Sequence, residues 1–331
     1  MLSKVVMRLL SEKQVQGLID VAELIAVLKQ AHIQYSTGKA VMPVRLVVPL
    51  PQIQGRITSM PGFLNEDKAL GMKVVTYFQN NPQHNLPAIL ATIMLFSAET
   101  GKMIAVMDGG YITAIRTACA SALATQALAN PETPTLGILG AGVQARAHIQ
   151  ALAQVRKFSK IKIYSPSATS AASIKNDVEK EAGVAIEVAR SAEEVVRASD
   201  LLVTVTTAKE PIVKADWFKP GVHINAVGSH RPDLREIDGA TLARAKVVVD
   251  SKEAILTECG DILLALKEQT ITEAHIHGEI GEILAGAKPG RTSADEITLY
   301  KSVGIAIQDV ATAQLVYRKA LAQNVGTNVE I

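Results

Sequence analysis

A glycine-rich segment directly after a short apolar run places the strongest constraint on the fold of this 331-residue chain. Gly140, Gly142 and Ala145 match the pattern G-x-G-x-x-A. In this pattern the first glycine permits a tight turn, the second lets the backbone approach a pyrophosphate, and the small third residue lets a helix pack closely on a strand. The amides at the helix N-terminus then face an anionic ligand. The predicted dinucleotide-binding residues are Gly140, Ala141, Gly142, Val143 and Gln144.

The region around this segment alternates short apolar runs with helical segments. Such runs are typical of strands buried on both faces, which predicts an α/β fold with a parallel sheet flanked by helices. Connection rules favour a doubly wound, Rossmann-type sheet. This context argues against the alternative that the glycines only form a tight turn. The predicted strands are residues 135–139, 162–164, 185–188, 201–206, 223–227 and 246–249.

The part of the chain before this region predicts a mixed α+β domain. Ser11 with Gln14, and Asp20 with Glu23, are typical of capping boxes, and they open a helical region that ends near residue 38. A further helix is predicted from residue 113 to residue 129. The predicted strands of this domain are residues 41–50, 56–60, 72–78, 88–96 and 103–107.

The end of the chain makes the first domain discontinuous in sequence. Thr292 and Ser293 can cap a last long helix from residue 295 to about residue 320, which we expect to return to the first domain. The predicted boundaries are residues 1–119, completed by 301–331, for the first domain and 120–300 for the Rossmann domain.

Composition argues against several classes of protein. Lys and Arg total 34 against 32 Asp and Glu, and aromatic residues make up 4%, which is unlike a nucleic-acid-binding surface. Two cysteines predict neither a disulfide framework nor a zinc site. His275 and His277 are assigned to a solvated helical face, so no metal is predicted. Residues 1–10 lack a signal-peptide layout, and the apolar run 87–96 is too short to span a bilayer, so we expect a cytoplasmic protein without membrane partners.

The segment after the second Rossmann strand bears on the choice of cofactor. An acidic residue there would bind a ribose 2′-hydroxyl and repel a 2′-phosphate, but this chain has neither an acid nor an arginine at residues 165–169. Hydroxyl groups at these positions can bond either group, so the prediction leans to NADPH and leaves NADH open. Loops at other strand ends are further candidates, with ordinary loop chemistry as the alternative. The candidates are Ser165, Ser167, Thr169, Thr206, Thr207, Ala226, Val227 and Gly228.

Three cations interrupt apolar segments of the first domain: Arg45, Lys73 and Arg116. A buried charge is costly unless it is paired, so each of them predicts an anionic partner. In one interpretation each cation pairs with an internal carboxylate such as Asp108 or Glu66, or extends its charged end to the surface. In the other, the cations converge on a substrate carboxylate, for which guanidinium offers parallel donors and lysine a point charge and a proton.

Several separate motifs resemble the ornithine cyclodeaminase/mu-crystallin family over nearly the whole chain. The resemblance implies a Rossmann domain, a substrate and dimerisation domain, and a homodimer. It also implies that Arg45, Lys73 and Arg116 bind the substrate carboxylate, with Lys73 and Arg116 at the reacting centre, and that Ser302 belongs to the cofactor site. The motifs are Met-Pro-Val-Arg at 42–45, Ser-Met-Pro-Gly at 59–62, Gly-Met-Lys-Val-Val at 71–75, residues 107–117, the glycine segment at 140–145 and Lys-Ser-Val-Gly at 301–304.

Residues 224–233 indicate a branch of this family. Its cyclodeaminases carry an aspartate shortly after the glycine that matches Gly228, whereas this chain has Ser229 and His230. The following Arg-Pro-Asp resembles the mu-crystallin branch, which is similar to ketimine reductases. The resemblance implies NAD(P)H-dependent reduction of 1-pyrroline-2-carboxylate, 1-piperideine-2-carboxylate or both to L-proline and L-pipecolate. The alternatives are reductive amination of a keto acid (as in alanine dehydrogenases), ornithine cyclodeamination, and crystallin-like binding of NADPH and a small ligand.

Overall fold

Two separate β-sheets and the helices packed against them make up the fold. The computed structural model describes residues 6–330, so the first half of the 1–10 segment lies outside the described residues. The chain divides into a first unit, Met1–Arg116 with Ile305–Ile331, and a second unit, Thr117–Gly304. Within residues 6–330 no helix has the length and apolar character needed to cross a membrane.

Sixteen strands and eleven α-helices lie within residues 6–330. The strands are β1 Val6–Leu10, β2 Ala40–Val41, β3 Leu46–Leu50, β4 Gly55–Leu64, β5 Ala69–Phe78, β6 Ile89–Ser97, β7 Met103–Asp108, β8 Thr135–Leu139, β9 Lys160–Tyr164, β10 Ile186–Val188, β11 Leu201–Thr204, β12 His223–Ala226, β13 Lys246–Val249, β14 Ile276–Glu279, β15 Thr298–Lys301 and β16 Thr327–Glu330. The α-helices are α1 Glu12–Leu18, α2 Val21–Ser36, α3 Gly110–Leu128, α4 Val143–Leu152, α5 Ala168–Ala182, α6 Ala192–Ala198, α7 Gly239–Arg244, α8 Lys252–Glu258, α9 Gly260–Lys267, α10 Ile280–Leu284 and α11 Ala306–Ala322.

The first unit is built on a mostly antiparallel sheet with the order β16-β1-β7-β6-β5-β4-β2, and β3 also pairs with β4. Burial alternates along β4 and along the first half of β5, as expected when one sheet face is covered. Helix α11 packs against β4, β5, β6 and α2. A Cβ at Gly71 would lie 3.3 Å from Val310 of α11, so the helix approaches the sheet closely there. This contact places the core of the unit between α11 and the inner sheet face.

The second unit is an all-parallel sheet with the order β10-β9-β8-β11-β12-β15-β13-β14. Its central strands β11, β12 and β15 are buried at every position, as expected for a sheet with helices on both faces. The order begins 3-2-1-4-5 when counted from β8, which is the Rossmann order. The predicted fold class, a Rossmann-type sheet plus an α+β domain, is confirmed.

The predicted last helix from residue 295 to about 320 is wrong over residues 295–305. Strand β15 occupies Thr298–Lys301, between β12 and β13, and α11 begins only at Ala306. All four residues of β15 are buried. A four-residue strand that is buried on both faces does not show the alternation of apolar and polar residues by which a strand is distinguished from a helix. The sequence therefore predicted a helix over these residues.

Two smaller predictions are also wrong. The single run 41–50 is divided into β2 and β3, because Pro43 has no N–H for a ladder hydrogen bond and interrupts the pairing. His277 lies in strand β14, and His275 lies in the short 3-10 helix before it, so neither is on an α-helical face. The His277 ring nitrogen Nε2 lies 2.9 Å from the carbonyl oxygen of Pro289.

Candidate active site

The covered face of the first sheet carries the lysine that the sequence singled out. Lys73 on β5 is the register partner of Met60 on β4 and of Ile93 on β6, and all three are buried. Arg45 directly precedes β3, the strand that pairs with β4, and its charge acts on Lys73. Arg116 comes from helix α3 in the same unit.

Lys73 and Arg116 converge on one buried carboxylate, Asp309 of α11. The Lys73 Nζ atom lies 2.8 Å from Asp309 Oδ2, and Arg116 Nε donates to Asp309 Oδ1 at 2.9 Å. Arg116 Nη1 also donates to Gln308 Oε1 at 2.7 Å. The Gln308 Nε2 atom lies 3.1 Å from Nε2 of His32. We call Lys73, Arg116 and Asp309 the Lys73 cluster.

For Lys73 and Arg116 the pairing with an internal carboxylate is confirmed, but their partner is Asp309 and not Asp108 or Glu66. Asp108 instead accepts the backbone N–H of Gly110 at 2.9 Å, at the start of α3. Glu66 pairs with Lys39 at 2.6 Å near the surface. Asp309 was missed by the sequence analysis, although it is a charge within a largely apolar helix, the same signal that identified the three cations.

The electrostatics of the Lys73 cluster favour an additional negative charge. Burial lowers the pKa of Lys73 to about 7, with Arg116 and Arg45 adding to the effect and Asp309 opposing it. Burial acts to raise the pKa of Asp309, but Arg116 and Lys73 hold it below its ordinary value. Burial, with Arg116 beside it, lowers the pKa of His32 to about 4, so this ring is neutral at pH 7. The cluster holds two cationic side chains for one carboxylate.

In the second unit, the glycine segment has the geometry expected of a phosphate-binding turn. Gly140 has φ 115°, and a Cβ there would lie 2.7 Å from the carbonyl oxygen of Val205, so only glycine fits. At Gly142, which caps α4, no atom of the described part of the chain lies within 4 Å of the position that a Cβ would take. Val143 is 69% exposed, and the buried Gln144 Oε1 has no hydrogen-bond partner within residues 6–330. An open cradle at a helix N-terminus with an unused acceptor fits a dinucleotide, with its pyrophosphate at the amides and a hydroxyl donor near Gln144.

The other predicted cofactor residues lie at the same edge of this sheet, because β8, β9, β11, β12 and β15 are parallel. Ser165, Ser167 and Thr169 follow β9, and Ser167 caps α5. Ser302 follows β15, but its hydroxyl is buried and donates to Asp250 at 2.8 Å. The remaining candidates, Thr206, Thr207, Ala226, Val227 and Gly228, lie at the ends of β11 and β12.

Comparisons with known proteins agree over almost the full length. The model of the ornithine cyclodeaminase/mu-crystallin family matches residues 5–324. The ketimine reductase mu-crystallin of Mus musculus is 38% identical over 312 residues, which cover 93% of this chain and 96% of that protein.

Solved structures give the same result. The Delta(1)-pyrroline-2-carboxylate reductase of Thermococcus litoralis, in complex with NADH and L-proline, matches with a TM-score of 0.95 and 43% identity, over 98% of this chain and 100% of that chain. An archaeal alanine dehydrogenase dimer with bound NAD matches with a TM-score of 0.92 and 36% identity, over 98% and 99% of the two chains. The family predicted from the sequence motifs is confirmed: this chain belongs to the ornithine cyclodeaminase/mu-crystallin family.

Proposed function

We propose that this chain reduces cyclic ketimine carboxylates, 1-pyrroline-2-carboxylate or 1-piperideine-2-carboxylate or both, to L-proline and L-pipecolate. It is an NAD(P)H-dependent oxidoreductase acting on CH–NH bonds, as are its relatives. The observation that carries the proposal is the buried Lys73 cluster, in which Lys73 and Arg116 share the carboxylate of Asp309.

The surplus positive charge of the cluster suits a substrate carboxylate. Arg116 donates from Nε to Asp309 and from Nη1 to Gln308, which fixes its guanidinium plane. Among the described residues Nη2 has no such bond, so it can donate to a further acceptor. Arg45 adds a second guanidinium whose charge reaches Lys73. A carboxylate between them would be held by charge-assisted hydrogen bonds, which fixes the face of the imine that is presented for reduction.

Lys73 suits the proton transfer that imine reduction needs. Hydride addition to the carbon of C=N requires a proton on the nitrogen, and a donor with a pKa near the working pH is the most effective. The pKa of Lys73, lowered to about 7, meets this condition. A bound carboxylate would raise that pKa and favour the protonated amine when substrate is present. The nicotinamide, when bound, supplies the hydride, and the residues of this chain supply position, charge and the proton.

The segment after Gly228 argues against ornithine cyclodeamination. Ser229 is fully buried, donates to the carbonyl of Leu234 at 2.7 Å and accepts the N–H of Asp261 at 3.1 Å. A neutral hydroxyl with both bonds satisfied inside the protein gives no counter-ion for a substrate ammonium group. A cyclic ketimine carboxylate has no distal ammonium group and therefore needs no such counter-ion.

Oxidation of NADPH or NADH, followed by absorbance, tests the proposal directly. Either cyclic imine should support turnover without ammonia, and amino acid analysis should find proline or pipecolate as the product. The similarity to an archaeal alanine dehydrogenase makes pyruvate with ammonia the necessary comparison. Turnover only with pyruvate and ammonia would replace the proposal by reductive amination. NADPH binding without turnover on any of these substrates would favour the crystallin-like alternative.

We also propose a homodimer formed through the outer face of the first sheet. Val48, Ile57 and Leu90 are 45%, 38% and 44% exposed. They lie on one face of the sheet because they are register partners across neighbouring strands: Val48 lies opposite Ile57, Ile57 opposite Thr76, and Thr76 opposite Leu90. Leu46, two residues before Val48, extends this apolar patch, and such patches mark interfaces. Light scattering should give twice the chain mass for the parent and a lower mass for Ile57→Asp; a monomeric parent would overturn the proposal.

A further inference from the structure

A buried carboxylate of the second unit, Glu236, joins two loops that carry predicted cofactor residues. Its Oε1 accepts the backbone N–H of Thr206 at 2.6 Å. Its Oε2 accepts the hydroxyl of Thr204 at 2.7 Å and the backbone N–H of Gly228 at 2.8 Å. Thr204 ends β11, and Gly228 lies two residues after β12. One side chain therefore fixes the backbone at the carboxyl ends of both strands.

The two loops fit closely around this carboxylate. A Cβ at Gly228 would lie 2.4 Å from Glu236 Oε1 and 2.2 Å from the carbonyl oxygen of Thr206. Backbone hydrogen bonds add to the connection, since Arg235 donates to the carbonyl of Ala208 and the N–H of Ile212 donates to the carbonyl of Glu236, both at 2.9 Å. Residues 206–212 and 228–236 are thus held together along their length.

Glu236 is in turn held by Asp261 and Lys301. Asp261 Oδ1 accepts the backbone N–H of Glu236 at 2.7 Å, and Asp261 Oδ2 lies 2.9 Å from Lys301 Nζ. All three residues are fully buried. The side-chain oxygens of Glu236 meet only donors in these three bonds, which favours the carboxylate form. Burial raises the pKa of Glu236 above its ordinary value, and the charge of Lys301 opposes that rise. We call Lys301, Asp261 and Glu236 the Lys301 cluster.

We propose that Glu236 is a positioning residue for the nicotinamide cofactor, acting through the backbone of Thr206 and Gly228. Ligands of doubly wound sheets bind at the carboxyl ends of the strands, where both loops lie. The proposal rests on the proposed cofactor site at this edge and is independent of which imine is reduced. Glu236 itself is too deeply buried to touch the dinucleotide.

Glu236→Gln tests this role with little change of shape. A glutamine presents one oxygen and one NH2 group, so the NH2 must face either the N–H of Thr206 or that of Gly228, and one loop loses its anchor. We expect the Kd for NADH, from protein fluorescence, to rise about tenfold, the loss typical of a charge-assisted hydrogen bond. Amide hydrogen exchange should become faster at Thr206 or Gly228. The KM for NADH should rise more than kcat falls.

Two further variants keep the test decisive. Asp233→Asn removes an exposed carboxylate from the same segment and should bind NADH like the parent. Thr204→Val removes only the hydroxyl bonded to Glu236 and should weaken NADH binding less than Glu236→Gln does. Folded Glu236→Gln with the parent's Kd for NADH would overturn the proposal. If Glu236→Gln does not fold, unchanged binding by Thr204→Val would overturn it. Absence of imine turnover by the parent would instead contradict the proposed function and leave the NADH measurement valid.

Discussion

Lys73 in the first unit and Lys301 in the second are both buried, yet their surroundings are opposite. Lys73 shares one carboxylate, Asp309, with Arg116, and burial lowers its pKa to about 7. Burial also acts to lower the pKa of Lys301, but Asp261, Cys259 and Glu236 raise it above its ordinary value. One cluster has an excess of positive groups and the other an excess of negative groups.

This difference separates a site that can accept an anionic ligand from one whose lysine already faces more than one internal carboxylate. The Lys73 cluster has two cations for one internal carboxylate, so an anionic ligand improves its balance. The Lys301 cluster has one cation for two carboxylates, and hydrogen bonds from backbone groups satisfy the remaining oxygens. A buried lysine is therefore a functional signal only when its neighbours leave positive charge in excess.

Replacement of each lysine by methionine should separate the two clusters most clearly. Lys301→Met leaves Asp261 and Glu236 buried without their cation and should lower the free energy of unfolding by about 3–5 kcal/mol. Lys73→Met leaves Asp309 paired with Arg116 at 2.9 Å, so we expect a much smaller loss of stability together with loss of imine turnover. Urea denaturation of both variants measures the difference. An equal fall in the free energy of unfolding of the two variants would show that both lysines stabilise the fold to the same extent, against the proposed difference.

Arg116→Ala tests whether the excess positive charge binds the substrate. Loss of a charge-assisted contact should cost about 2–4 kcal/mol, which corresponds to a fall of roughly 30- to 1000-fold in kcat/KM for the cyclic imine. Arg318→Ala, an exposed arginine on α11, is the control and should keep the parent's kcat/KM. Near-parent turnover by Arg116→Ala at low substrate concentration would remove the basis for the carboxylate site.

The same comparison explains what could be predicted from sequence. The cofactor site of the second unit could be predicted because it is a local motif. A strand is followed directly by Gly140, Gly142 and a helix, and the spacing of the glycines indicates the turn between them. In the first unit, Lys73, Arg116 and Asp309 come from β5, α3 and α11, and no spacing along the chain reports that they meet. The sequence indicated that each cation needs a partner but could not identify Asp309.

Strand β15 shows a second limit. Thr298–Lys301 is only four residues long and fully buried, and it enters the sheet between strands that precede it in the chain. The predicted helix, whose pattern is real from Ala306 onward, wrongly included this strand. Short buried runs show neither the helical nor the strand periodicity of apolar residues. Lys301, which ends this strand, was consequently assigned to a helix and not to the edge of the sheet.

Asp309→Asn tests how strongly the internal carboxylate of the Lys73 cluster controls the pKa of Lys73. The pH dependence of kcat/KM measures this effect. In the proposed mechanism the protonated form of Lys73 is active, so kcat/KM should fall as pH rises through about 7. Asp309 raises the pKa of Lys73, so its neutral replacement lowers that pKa and moves the falling limb to lower pH. A downward shift of about one pH unit gives a loss of roughly fivefold at pH 7, which approaches roughly tenfold at higher pH. The measurement is the ratio of the variant's kcat/KM to the parent's on the same imine at each pH, because titration of the substrate affects both values equally. A ratio that does not change with pH would exclude Lys73 as the titrating group.

At the cofactor edge of the second sheet, a negative charge added to the protein should weaken the binding of NADPH but not that of NADH. This differs from the Lys73 cluster, where a change of charge should affect binding of the substrate. Ser167 caps α5, and its side chain accepts the N–H of Ser170 at 3.3 Å, a role that aspartate also fills. Ser167→Asp should therefore fold normally but place a carboxylate where a 2′-phosphate would lie, raising the KM for NADPH several-fold, up to about tenfold, and leaving that for NADH nearly unchanged. Ser11→Asp makes the same exchange at the exposed cap of α1 and should alter neither value. Equal effects of Ser167→Asp on both cofactors would mean that the loop after β9 does not border the 2′ position, because a charge there must discriminate a phosphate from a hydroxyl.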